Sequence, residues 1–198
     1  KKLCTSHNLT RLAQSVENSR GLNLDMFFSA KTHKLDCPLR IIVSEAGTWQ
    51  KSVSDFLQKS LKQLVVDDPF LIKNSDCVTT FLKQSERRSL SAFSVDIKDL
   101  YYSLPQNGLL QCVERCIENS GVTDFQNSVG VSVGAFLELL GTYLDSTFVR
   151  WGDDLFLQKQ GICIGSSVAP ILSDVFLSEC DRRLFARLKD VGVLNVFR

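Results

Sequence analysis

Hydrophobic residues recur every three or four positions in five stretches of the chain, and this period predicts amphipathic helices. The clearest stretch runs from Trp49 through Val53 and Leu57 to Leu64, with Thr48 as a candidate N-cap. The other four helices are predicted from Ser75 or Asp76, after Asn107, at 132–144 and at 166–188.

Two segments rich in β-branched and aromatic residues, 38–44 and 91–97, are predicted to be strands. Residues 147–149 and 155–157 flank Gly152-Asp153-Asp154, a combination that predicts a hairpin. Because strands and helices are interspersed without regular βαβ alternation, the pattern favours an α+β fold over a doubly wound sheet.

The composition indicates that the chain folds, and its charge limits the partners that it can bind. Its 198 residues are 44% hydrophobic, enough for one substantial core or for a core with a smaller subdomain. The 23 Lys and Arg against 22 Asp and Glu exclude a broadly basic protein, so any nucleic-acid surface must come from local segregation of charge. No apolar run approaches the roughly 18 residues of a membrane span, and residues 1–12 lack a signal-peptide core. We expect an intracellular protein without a membrane partner.

Cysteine and histidine contribute little chemistry. The seven cysteines never form Cys-x-x-Cys, which argues against a disulfide framework and a zinc site and favours reduced thiols. Neither His7 nor His33 lies near a Ser or Cys in a nucleophile context.

Asp96 is the first candidate for chemistry. It ends the predicted strand 91–97, where its carboxylate could leave the core and reach a metal, and Tyr101 follows five residues later. A helix cap or turn residue is the alternative interpretation of such an aspartate.

The segment 160–170 is the second candidate. Gly161 and Gly165 allow close approach of the backbone to a ligand, while Ser166 and Ser167 could cap the next helix or contact phosphate. An ordinary glycine-containing turn before a helix is the alternative. No Gly-Lys-Ser/Thr follows the glycines, which excludes a Walker loop.

The third candidate is the segment 31–44, in which two basic clusters flank a Pro-containing turn. Arg40 directly precedes Ile41-Ile42-Val43, so its planar guanidinium would be held on a rigid strand and suited to clamping phosphate. A solvated hairpin face is the alternative.

Taken in their order along the chain, the three candidate segments resemble the reverse transcriptases. Their sequences are most similar to those of Penelope-like retroelements. The family stretches Pro-Lys-x-His-Lys and Pro-x-Arg-Pro-Ile-Val-Ser are similar to Ala30-Lys-Thr-His-Lys34 and Pro38-Leu-Arg-Ile-Ile-Val-Ser44, with Ala30 and Ile41 replacing two prolines. Three further stretches resemble the family's, namely Ile72-Lys-Asn-Ser75, Ser94-Val-Asp-Ile-Lys-Asp-Leu-Tyr-Tyr-Ser-Leu-Pro105, and Gln158-Lys-Gln-Gly161 through Gly165-Ser166 to Ala169-Pro170. The resemblance covers residues 26–198.

The resemblance implies one reverse transcriptase domain with a polymerase right-hand fold. Residues 1–90 would form an N-terminal segment and the fingers, and residues 91–198 a partial palm. A small antiparallel sheet would pack on helices.

The resemblance also implies site roles. Asp96, with the backbone of Ile97, would bind Mg²⁺ in a two-metal site that catalyses nucleotidyl transfer. Tyr101 would lie under the sugar of the incoming nucleotide and reject a 2′-hydroxyl.

The remaining implied roles concern the nucleotide and the template. Arg40, with Lys31 or Lys34, would hold the triphosphate, and Gln158 or Gln160, with Gly161, would line the nucleotide and template pocket. The residues implied beside the template and primer are Gln158, Gly165, Ser166 and Pro170. The partners implied are deoxynucleoside triphosphates and an RNA template with a DNA primer, or the RNA–DNA hybrid, in the nucleus.

In the family, a Tyr-x-Asp-Asp turn follows the helix after the Gly-Ser-Ala-Pro stretch, and this sequence ends at 193–198, where that turn would begin. We therefore expect a fragment with an incomplete magnesium site that is inactive alone. Asp153-Asp154 looks like such a turn but precedes the segment 160–170, so we interpret the pair as turn formers, with metal binding as the alternative. Two further alternatives are a non-catalytic nucleic-acid- or protein-binding remnant and an unrelated α+β domain.

Overall fold

Residues 1–85, 91–193 and 195–198 are described by a computed structural model. The chain divides into two units. The first unit is made of Lys1–Val66 and Asp99–Phe176, and the second of Asp67–Lys98 and Leu177–Arg198.

Helices and strands alternate irregularly along the described residues. The elements are α1 (Lys2–Ser6), α2 (Thr10–Asn18), β1 (Leu24–Ala30), β2 (Leu39–Ser44), α3 (Trp49–Leu61), α4 (Asp76–Gln84), α5 (Leu100–Ser103), α6 (Gln106–Ser120), α7 (Val122–Val129), α8 (Val133–Asp145), β3 (Phe148–Trp151), β4 (Asp154–Leu157), α9 (Ala169–Leu188) and a 3₁₀ turn (Lys189–Val191). The protein is therefore a mixed α and β protein, as the interspersed pattern predicted.

All five stretches of helical period are confirmed as helices, namely α3, α4, α6, α8 and α9. The helix predicted from residue 166 begins at Ala169 instead, because Ser166 accepts a hydrogen bond from the backbone N–H of Val168 and the turn before α9 is not helical. Thr48 is the N-cap residue of α3 as predicted, but its hydroxyl donates to the carbonyl of Glu45 and makes no side-chain capping bond to the helix.

The sheet has the order β2-β1-β3-β4. The predicted strand 38–44 and the predicted hairpin are confirmed as β2 and as the antiparallel pair β3–β4. β1 pairs antiparallel with β2 but parallel with β3, so the sheet is mixed, and the expectation of an antiparallel sheet was wrong in this respect. Parallel neighbours require a long crossover connection, and the intervening helices supply it.

The predicted strand at 91–97 is wrong, because these residues have no regular secondary structure. Phe93, Val95 and Ile97 alternate with smaller or polar residues, yet they are 91%, 82% and 50% exposed. A strand needs a neighbour to pair its backbone and cover its apolar face. None of the four described strands pairs with this segment, so the alternating pattern has no hydrogen-bonded strand partner among the described residues.

The main core of the first unit lies between helices. Its best-buried side chains come mostly from α3, α6 and α8 and include Leu57, Leu61, Leu109, Val113, Phe136 and Leu140. A smaller cluster joins Leu24, Val43 and Val149 of the sheet to Cys163, which follows β4. This second cluster places the chain after β4 against β2.

The second unit contains two edge-to-face aromatic pairs, Phe70 with Phe185 and Phe81 with Phe197, at centroid distances of 6.0 and 5.4 Å. Arg198 pairs with the carboxylates of Asp68 and Asp181. Within the part of the chain that the structure describes, no helix has the length and apolar character of a membrane span.

Candidate functional site

Gly161 lies against the backbone of α5. It is buried with φ +71°, and a Cβ atom there would stand 2.4 Å from the carbonyl oxygen of Tyr101 and 2.6 Å from Cα of Tyr102. Its N–H donates to the carbonyl of Leu104 at 3.1 Å, and the N–H of Ile162 donates to that of Tyr101 at 2.7 Å. The close approach that this glycine permits is thus to the protein's own backbone.

Gly165 has the same relationship with β2. With φ +110°, it passes Val43 so closely that a Cβ atom would stand 2.2 Å from the carbonyl oxygen of Val43. The N–H of Val43 donates to the carbonyl of Ile164 at 2.8 Å. The segment 163–168, which we call the Gly165 loop, therefore covers the outer edge of β2.

The two tyrosines of α5, Tyr101 and Tyr102, make different contacts. Tyr101 is partly buried and packs against the main core. The hydroxyl of Tyr102 instead donates to the carbonyl of Ile41 at 2.8 Å, next to Arg40. Burial raises the pKa of Tyr102, and the Arg40 guanidinium opposes that shift. Tyr102 is therefore the tyrosine that fastens α5 to β2, a role that the sequence interpretation did not assign to it.

A buried carboxylate holds the Gly165 loop from beneath. Glu45 is 3% exposed. Its Oε1 accepts from the hydroxyl of Tyr143, and its Oε2 accepts from Ser54 Oγ at 2.7 Å and from the N–H of Ser167 at 3.4 Å. Ser166 is also buried, with its Oγ 2.5 Å from the Tyr143 hydroxyl oxygen. The serine predicted to cap a helix or contact phosphate is thus part of an internal network.

The negative charge of Glu45 affects the pKa values of the neighbouring groups. Burial, together with the negative charge of Glu45, raises the pKa of Tyr143. The same two causes, in the same order, raise the pKa of the Cys163 thiol to about 12. Both groups are therefore neutral at physiological pH.

Sequence reasoning missed Glu45, Ser54 and Tyr143. A signal existed for two of them, since Ser54 and Tyr143 fall at helical spacing among the buried residues of α3 and α8. Glu45, directly after a strand, had none.

Helix α3 holds the loop from the other side. Lys51 Nζ donates to Ser167 Oγ at 2.6 Å, and Gln58 Nε2 donates to the carbonyl of Ser167 at 2.5 Å. Every polar group of Ser167 is therefore engaged.

The predicted phosphate-binding residues lie at the β1–β2 end of the sheet. Arg40 and Lys34 are exposed and Lys31 is partly exposed, with the N–H of Lys31 donating to the carbonyl of Pro38 at 2.9 Å. Arg40 stands opposite Ser29 in the β1–β2 register. These cations are open to an anionic ligand.

The two glutamines lie on the connection after β4. Gln160 is exposed, whereas the side chain of Gln158 turns back on this connection, donating to the carbonyl of Gln160 at 2.8 Å and accepting from Cys163 Sγ at 2.8 Å. Pro170 is exposed in the first turn of α9, where its missing N–H costs nothing.

Asp96 and Ile97 belong to the second unit, on the exposed segment without regular structure. Asp153 lies in the β3–β4 turn, and Asp154 begins β4 opposite Trp151. Among the residues that the structure describes, no three His, Cys, Asp or Glu side chains are grouped to hold a metal ion. The described residues thus do not complete a magnesium site.

Neither the models of known protein families nor the curated protein sequences include a match to this chain. Within the first unit, β2, α5 and the Gly165 loop are hydrogen-bonded to one another.

Proposed function

We propose that the chain is the fingers and the first part of the palm of a reverse transcriptase, an RNA-directed DNA polymerase. The observation that carries the proposal is the contact among three segments that resemble the family and lie far apart in sequence. The N–H of Val43, in segment 31–44, donates to the carbonyl of Ile164, in segment 160–170, and the N–H of Ile162 in that segment donates to the carbonyl of Tyr101, in segment 94–105.

The glycines strengthen this argument. Gly161 and Gly165 are the positions at which segment 160–170 touches the other two segments, and a side chain at either would collide with backbone. Residues that carry a shared site are expected to converge in this way. In an unrelated domain, the matching of family motifs to mutually packed backbone would be a coincidence.

In the proposed function, Arg40 binds the triphosphate of an incoming deoxynucleotide, with Lys31 or Lys34 beside it. Arg40 stands on a strand whose outer edge is fixed by Tyr102 and by the Gly165 loop, so its guanidinium starts from a rigid base. A planar guanidinium forms paired charge-assisted hydrogen bonds to phosphate oxygens. The hybrid of RNA and DNA would be held through its backbone and shape.

Two magnesium ions, when bound, would stabilise the charge that develops during phosphoryl transfer. Asp96 and the backbone of Ile97 are the ligands proposed for this chain. Because the described residues do not complete the set, we assign substrate binding to this chain and derive no catalytic step through the metal.

Nucleotide binding is tested with a fluorescent deoxynucleoside triphosphate added to the chain and an RNA–DNA hybrid that has an RNA overhang. Arg40→Gln should weaken triphosphate binding roughly ten- to a hundredfold, the value of a lost charge-assisted hydrogen bond. It should leave binding of the corresponding monophosphate within about twofold, because the lost contact is to the outer phosphates.

Arg150→Gln is the matched control, since Arg150 is also an exposed sheet arginine but pairs with Asp25 at 3.2 Å. It should bind the triphosphate like the wild-type chain. Equal losses in the two variants, or no triphosphate binding by the wild-type chain, would contradict the proposal.

A second candidate function is binding of nucleic acid without catalysis. The exposure of Asp96, on a segment without regular secondary structure, favours it. Primer extension by a longer chain that continues past Arg198 separates the two candidates. Magnesium-dependent DNA synthesis that is lost in Asp96→Ala supports the polymerase, whereas hybrid binding without synthesis supports the second function.

A further inference from the structure

We infer that Glu45 is a positioning residue, whose carboxylate holds the Gly165 loop against β2 and thereby keeps the Arg40 strand in the shape that binds a triphosphate. The binding half of this inference rests on the proposed function. The holding half rests on the hydrogen bonds of the first unit alone.

The network around Glu45 has one consistent direction of donation. Ser166 Oγ accepts from the N–H of Val168 at 3.3 Å, and its hydroxyl donates to Tyr143, because Tyr143 uses its only hydroxyl proton on the carboxylate of Glu45. Tyr143 in turn donates to Glu45 Oε1. The chain of donors that begins in the Gly165 loop thus ends on the carboxylate.

The other carboxylate oxygen of Glu45 accepts a second set of hydrogen bonds. Oε2 accepts from Ser54 of α3 and from the backbone N–H of Ser167. Glu45 therefore bonds directly to α3, α8 and Ser167 of the loop, and it is linked to Ser166 through Tyr143. Its own backbone is fixed as well, because its carbonyl accepts from both the N–H and the hydroxyl of Thr48.

A carboxylate is suited to this place because all three of its partners are donors. A buried carboxylate that lost them would be strongly unfavourable, so the network is stable only with the donors in place. This requirement limits the loop to a narrow set of positions.

The position of the Gly165 loop affects Arg40 because the loop is bonded to the edge of β2, the strand that carries Arg40. Val43 bonds to Ile164 and is in close contact with Gly165, and Arg40 lies on the same strand. A loop released from Glu45 would leave this edge without its partner. Arg40 would then lose the rigid base from which it binds phosphate.

The experiment combines amide hydrogen exchange at 163–168 with binding of the same fluorescent triphosphate in the presence of the hybrid. In Glu45→Ala, exchange of the loop should rise on the order of tenfold or more, because the N–H of Ser167 loses its acceptor and the loop loses its link to Glu45. Triphosphate binding should weaken on the order of tenfold, while hybrid binding changes by less than about twofold.

Glu45→Gln distinguishes positioning by hydrogen bonds from a need for charge. Its carbonyl can accept from Ser54 and Ser167, and its NH₂ can donate to Tyr143, whose hydroxyl then turns to donate to Ser166. We expect this variant to restore loop protection and triphosphate binding to within about threefold of wild type, by reversing one part of the network. Tyr143→Phe, which removes the link, should be intermediate between the glutamine and alanine variants.

Ile117→Val is the control for general loss of stability, since Ile117 is fully buried in α6. It should leave both triphosphate binding and the exchange of 163–168 relative to other core amides unchanged. If Glu45→Ala does not fold, Tyr143→Phe and Glu45→Gln carry the test.

Wild-type loop protection in Glu45→Ala, or in Tyr143→Phe when the alanine variant cannot be studied, overturns the holding half. A released loop with normal triphosphate binding overturns the positioning role. Absence of triphosphate binding in the wild-type chain overturns the proposed function and the binding half together, and the exchange result then decides the holding half by itself.

Discussion

Gly165 passes Val43 so closely that a Cβ atom on residue 165 would stand 2.2 Å from the carbonyl oxygen of Val43. Backbone cannot move aside as the tip of a flexible side chain can. We therefore expect Gly165→Ala to lower the free energy of unfolding by about 2–4 kcal/mol, from the collision and from φ +110° together. Denaturant unfolding measures the change.

Gly152→Ala separates these two causes. Gly152 has φ +61° but nothing within 4 Å of the added Cβ. This variant should lose only the conformational cost of about 1–2 kcal/mol. Equal losses in the two variants would mean that the contact with Val43 is unimportant for stability.

Gly161→Ala should be at least as damaging, because the new Cβ atom would meet three backbone atoms of Tyr101 and Tyr102 within 2.7 Å. We expect a loss of about 3 kcal/mol or more in unfolding free energy and faster amide exchange at Ile162, whose N–H bonds to Tyr101. Gly134→Ala is the control, since Gly134 is the second residue of α8 and has nothing within 4 Å of an added Cβ atom. That variant should gain at most about 1 kcal/mol, and a similar gain in Gly161→Ala would contradict the described packing.

Elements with a local signal could be predicted from the sequence, and those that depend on distant partners could not. The helical periods of α3 and α8 were sufficient because a helix closes its hydrogen bonds within itself. The alternation at 91–97 is equally clear, but a strand depends on a neighbour that no local pattern specifies.

The candidate site divides in the same way. Gly161 and Gly165 could be identified as places of close approach, but not what approaches them, since Tyr101 and Val43 are remote in sequence. Glu45 could not be identified at all, because its role depends on a hydrogen bond from Tyr143, 98 positions away in the sequence.

Arg198 stands between two carboxylates of the second unit. It pairs with Asp68, whose side chain is 1% exposed, and donates from Nε to Asp181 Oδ2 at 2.6 Å. Burial raises the pKa of Asp181, the hydrogen bond from Arg198 opposes the shift, and the charge of Asp68 adds to it. A carboxyl whose pKa is raised by folding contributes stability below its unfolded pKa of about 4, and this contribution is lost as pH rises through the folded value.

Asp181→Asn removes the titrating group and keeps an oxygen that accepts from Arg198. We expect the variant to match the wild-type chain at low pH and to become more stable than it as pH rises from about 4 toward neutrality. Denaturant unfolding at a series of pH values measures the difference. A difference that stays constant across this range would show that Asp181 titrates as it does in the unfolded chain.

Cys163 offers a chemical readout of the network around Glu45. It is buried, and its pKa is raised to about 12 by burial and by the charge of Glu45, so the reactive thiolate is scarce at neutral pH. Cys37 and Cys77 are exposed. We expect iodoacetamide at about pH 8 to modify Cys163 on the order of a hundredfold more slowly than Cys37 or Cys77 in the folded chain, as followed by peptide mass spectrometry. In denaturant the three rates should converge, which controls for differences between peptides.

Glu45→Gln removes the charge but keeps the packing, so it should speed modification of Cys163 and leave Cys37 unchanged. Rapid modification of Cys163 in the folded wild-type chain would contradict a closed Gly165 loop.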